Sequence, residues 1–109
     1  MSDAPSFPES LVDLQRASTA AWDEVEAHRK RVDEKRRQEA AASGARRDEL
    51  RPWAPVALRE WTPAEDAEHE RLLDAARAAA EALRAGIADA GLDGGYEVTQ
   101  GLHKAAREA

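Results

Sequence analysis

Pro52-Trp53-Ala54-Pro55-Val56-Ala57-Leu58-Arg59-Glu60-Trp61-Thr62-Pro63-Ala64-Glu65 holds two of the three tryptophans in the chain and three of its five prolines. Proline has no amide hydrogen and pushes the residue before it away from helical dihedrals, so no helix runs unbroken through Pro52, Pro55 and Pro63. Long helical patterns lie on either side of this stretch. It therefore reads as the place where the chain reverses, and the fold class follows: all-α, a long antiparallel helical hairpin, coiled-coil-like, with a Pro/Trp-rich connection over 44–62 and a short C-terminal helix.

Upstream, residues 1–7 read as a flexible N-terminus. Ser6-Phe7-Pro8-Glu9 fits a capping box, with Pro8 in the first turn where a missing amide costs little. From there Leu11, Leu14, Ser18, Ala21, Val25, His28 and Val32 recur at alternating three- and four-residue spacing, with Trp22 beside the seam, which is the signature of an amphipathic helix. Beyond Val32 the seam loses its apolar residues to Lys35 and Glu39, but Ala40-Ala41-Ala42 favours helix and Gly44 is the expected stop. The first helix is assigned to 8–43. Residues 45–50 fit a helical remnant or a loop equally.

Downstream, Thr62-Pro63-Ala64-Glu65 combines an N-cap Thr, Pro at the first helical position and Glu at the third, with Asp66 adding negative charge at the positive end of the helix. A second helix is assigned to 63–90, with Leu72, Leu73, Ala76, Ala79, Ala80, Leu83 and Ile87 as its apolar stripe. Gly91-Leu92 reads as a Schellman end and Asp93-Gly94-Gly95 as a turn. Val98, Leu102 and Ala106, four apart, assign a short helix to 96–108. All of 1–109 is read as one helical domain.

The 42% apolar content includes 25 alanines, leaving 21 larger apolar residues to seal two or three helices. So thin a core favours burial through self-association, and a homodimer is expected. The absence of Cys rules out disulfides, thiolate nucleophiles and cysteine metal ligands. The first residues lack the apolar run of a secretory signal, and no window approaches the roughly 20 apolar residues of a membrane helix, so a cytoplasmic location is expected.

Charge is segregated. Between Arg29 and Arg51 nine Arg and Lys face five acids, whereas the rest of the chain carries seven bases and 17 acids. Arg29-Lys30-Arg31 and Lys35-Arg36-Arg37 could meet a nucleic acid, or could lie beside Glu65, Asp66, Glu68 and Glu70 in a hairpin. The net charge of −6 disfavours a polyanion. His69-Glu70-Arg71-Leu72-Leu73 starts like a zinc-protease motif, but Leu73 stands where the second ligand belongs. Asp66 with His69 is the lone acid-x-x-His pair, short of a di-metal bundle. No serine elbow or phosphate loop is present.

These residues give the expectation of a small protein-interaction module, an adaptor or regulatory subunit without catalytic activity, metal or cofactor. Trp53 and Trp61 are the first candidates for its contact surface, because Trp is enriched among interface hot spots. Arg29, Arg31, Arg36 and Arg37 come next. The alternative is a nucleic-acid-associated regulator using the basic end of the first helix.

Overall fold

A computed structural model describes residues 7–43 and 57–108 as three helices: α1 (Glu9–Ala42), α2 (Pro63–Asp89) and α3 (Tyr96–Glu108). The protein is all-helical, and α1 packs against both α2 and α3. Residues 44–56, which include Gly44, Trp53 and the first part of the Pro/Trp stretch, lie outside the described residues, as does Ser6.

Each helix end has a local cause. Pro8, not Ser6, is the N-cap of α1. Its φ of −55° and ψ of 141° bring the chain in from an extended direction, and its carbonyl accepts from the amides of Leu11 and Val12 with no side-chain cap. At the other end the Ser43 amide donates to the Glu39 carbonyl, closing the last turn. The α2 capping box is formed as expected: the Thr62 hydroxyl accepts from the Glu65 amide at 3.1 Å, and the Glu65 carboxylate accepts from the Thr62 amide at 2.8 Å. Its C-terminus is a Schellman motif. Gly91 takes a φ of +72°, its amide donates to Ala88, and the Leu92 amide donates to Ile87. The Asp93 carboxylate then accepts from the Gly95 amide, and the Gly95 carbonyl receives the Thr99 amide to start α3.

Contacts along α1 and α2 run in opposite order. Leu14 approaches Gly86, His28 meets His69, and Arg36 reaches Arg59 just before α2. The two helices are therefore antiparallel, and their facing stripes are the ones the periodicity marks. Leu11, Ser18, His28 and Val32 of α1 and Leu72 and Ala76 of α2 are buried, while Leu14, Val25, Leu73, Leu83 and Ile87 are half-buried.

Val12 and Gln15 are buried too, though they lie off the seam. A second face of α1 is covered: Ala106 and Arg107 of α3 line a shallow 170 Å³ cavity with Arg16, Thr19, Ala20 and Asp23, and Val12 sits one turn earlier on that stripe. Leu102 anchors α3 and is fully buried. Among the described residues α2 and α3 do not touch, so α1 is the central element held on two faces. No described helix is long and apolar enough to cross a membrane.

Candidate functional site

Where α1 and α2 pair toward the Pro/Trp stretch, three rings form a nearly equilateral cluster. The ring of Trp61 lies 5.5 Å from that of His28 and 5.2 Å from that of His69, edge-on to both, and the two imidazoles are 5.8 Å apart with planes tilted by 31°. Each ring arrives by a different route. His28 occupies the α1 seam one turn before Val32. His69 stands one turn before Leu72 and Leu73, which places it on the α2 stripe. Trp61 directly precedes the Thr62 cap, so the capping box fixes the angle at which its indole enters. His28 is buried, His69 and Trp61 are half-buried, and both imidazole Nδ1 atoms are shut off from solvent and have no hydrogen-bond partner among the described residues.

Beside the rings runs a network of charges. The Arg36 guanidinium donates to the Arg59 carbonyl at 2.6 Å and to Asp33 at 3.1 Å. The Arg59 guanidinium in turn bridges Glu39 of α1 and Glu65 of α2. Hydrogen bonds from Arg59 and from the Thr62 amide hold the Glu65 carboxyl down to about 2, and the same carboxylates push Arg59 up. The arrangement ties the C-terminal part of α1 to the first turn of α2 through Arg59 (two guanidinium–carboxylate pairs and one guanidinium–carbonyl bond), although residues 44–56 of the connection are outside the described residues.

The candidate contact residues are distributed as follows. Trp61 belongs to the ring cluster. Arg29 forms ion pairs with Glu26 and Asp33 on its own helix, which lowers Glu26 and raises Arg29. Arg36 is in the Arg59 network. Arg31 and Arg37 are exposed and, with Lys30 and Lys35, make no ion pair among the described residues. At 3.6 residues per turn, Arg31 and Lys35 fall on one flank of α1, Arg29 and Arg36 on the other, and Lys30 and Arg37 on the face away from α2. The basic residues thus do not form one stripe. Of the acids at the start of α2, Glu65 pairs with Arg59, while Glu68 pairs within the helix with Arg71, which holds its carboxyl low, and Glu70 with Arg77.

The meeting of His28 and His69 was not anticipated. A signal for it existed, because His69 extends the Leu72/Leu73/Ala76 stripe by one turn, but pairing it with His28 requires the helix register. Trp22, which the periodicity puts beside the seam, is the most exposed tryptophan described, at 43%. Compared with known proteins, the chain matches no family model, no curated protein and no solved structure.

Proposed function

We propose that this chain is a protein-interaction module, an adaptor or regulatory subunit without catalytic activity, and that its partner is a helix laid along one flank of α1. The observation that carries the reading is the row Trp22, Glu26, Arg29, Asp33, Arg36. Its four- and three-residue spacing is that of a helix-contacting seam. Within the row, Arg29 is braced by Glu26 and Asp33, and Arg36 by Asp33. Braced guanidinium groups lose less freedom on binding, and Trp and Arg are the residue types that most often dominate interface energetics. The matching surface is an amphipathic helix with an apolar residue over Trp22 and charges of both signs beyond it. A homodimer using this flank is one way to fill it, and a cytoplasmic setting fits the lack of Cys.

The test is cross-linking and mass spectrometry of partners captured from the source cell by wild-type protein and by Trp22→Ala. The variant should keep its helix content and melting temperature while losing the wild-type partner. Unchanged capture by Trp22→Ala would reject the flank as the contact surface. The alternative of a nucleic-acid regulator has the exposed Lys30, Arg31, Lys35 and Arg37 in its favour, and it requires retention on heparin that falls steeply with salt.

A further inference from the structure

The ring cluster presents a chemical feature that helix packing does not need. A buried nitrogen without a partner loses its hydration and receives nothing in return, so each such atom in a folded protein calls for an explanation, an ion or a water among them. Here two imidazole Nδ1 atoms share this condition, on side chains from two different helices, with ring centroids 5.8 Å apart. Neutral imidazole offers a lone pair suited to zinc, nickel and copper, and is a poor ligand for magnesium or calcium. With metal–nitrogen bonds of about 2.0–2.1 Å, two imidazoles on one tetrahedral ion place their ring centroids about 5 Å apart, slightly closer than the two rings stand here.

We propose that His28 and His69 form a two-imidazole site for a late first-row divalent cation of the zinc, nickel and copper class, clamping α1 to α2. Each ring donates one nitrogen lone pair to the ion. No group of three His, Asp or Glu gathers among the described residues, so the chain supplies two ligands, and water reaches the ion only from the side where His69 and Trp61 are half-exposed. Trp61 is a positioning residue: edge-on to both rings, it limits their rotation. The surrounding charges are of both signs: Glu68 beside His69 is paired with Arg71, Glu65 one turn before His69 is paired with Arg59, and Glu24 stands one turn before His28, with Arg31 nearby. The site does not depend on the helical partner proposed above.

The protein is titrated with ZnCl2, NiCl2 and CuCl2 alone, with MgCl2 as control, by calorimetry and thermal melting. One ion should bind per chain, and the melting temperature should rise with metal concentration, since a ligand that binds only the folded state stabilises it. Single His28→Ala and His69→Ala variants should weaken binding by at least about tenfold, whereas His103→Ala, on the exposed side of α3, should not. Because His28 is buried and its replacement can cost the fold, two-bond proton–nitrogen correlation spectra of wild-type imidazoles are recorded with zinc. Shifts of the Nδ1 signals of both His28 and His69 support the site. Absence of binding up to millimolar metal, a response confined to one imidazole, or a shift of His103 alone overturns it.

Discussion

A Cβ placed on Gly86 would stand 2.6 Å from Cδ1 of Leu14 and 3.2 Å from Cδ1 of Leu11, so the leucines of α1 occupy the space that α2 leaves by having no side chain there. Gly86→Ala sets two effects against each other. Alanine gains about 1 kcal/mol in helix propensity, but overfilling a packed contact costs about 1–3 kcal/mol. The methyl meets the ends of two leucines, which yield only by leaving the seam. We expect a net loss of about 1 kcal/mol, or about 4–8 °C in melting temperature for a domain of this size. A melting temperature above wild type would show that the leucines move freely.

Leu102 is fully buried, and among the described helices α3 packs against α1 and not α2. Removing most of its side chain in Leu102→Ala should cost about 2–5 kcal/mol at that contact. The loss should be local, because α2 does not rest on α3. Hydrogen exchange should show α3 amides losing protection while the α1–α2 amides from Val25 to Ala76 keep theirs. Uniform loss across all three helices would mean that the chain unfolds as one unit.

Trp61 holds two imidazoles edge-on and precedes the α2 cap. Because it is half-buried, Trp61→Ala should cost less than removal of a fully buried aromatic, about 2–3 kcal/mol against the usual 3–5. Its near-ultraviolet dichroism signal should disappear with little change in helix content at 25 °C. A variant as stable as wild type would make Trp61 a surface residue available to partners, as the sequence suggested for it and for Trp53.

Glu65 carries the pH dependence that can be assigned. Its carboxyl lies near 4.5 in an unstructured chain and about 2 in the fold, chiefly through the hydrogen bond from Arg59. A depressed folded value means that its contribution is complete above about 4.5 and disappears as pH falls toward 2. Melting curves from pH 7 to pH 2 should show wild type more stable than Glu65→Gln at neutral pH, with the gap closing below about pH 4.5. A gap that stays constant across this range would remove the Arg59–Glu65 pair as its cause.

Much of this protein is written in short-range rules. The α2 start at Thr62-Pro63-Ala64-Glu65, the Schellman end at Gly91-Leu92, the α3 limits and the Leu11-to-Val32 seam depend on capping, glycine dihedrals and 3.6-residue periodicity, which neighbouring residues satisfy among themselves. The first helix, assigned to 8–43, runs from Glu9 to Ala42, and its start differs by one residue because Pro8 can serve either as a first-turn residue or as an extended cap. What only the tertiary structure decides is which faces meet. Val12 and Gln15 lie off the apolar seam, and their burial comes from α3 folding onto a second side of α1. Gly86 looks like a weak point in a helix until Leu14 is placed against it. His28 and His69 are 41 positions apart in the sequence, and each alone reads as an ordinary residue on an amphipathic stripe. Only the antiparallel register brings the two imidazoles together under Trp61, because register depends on the summed packing of both helices and no local motif encodes it.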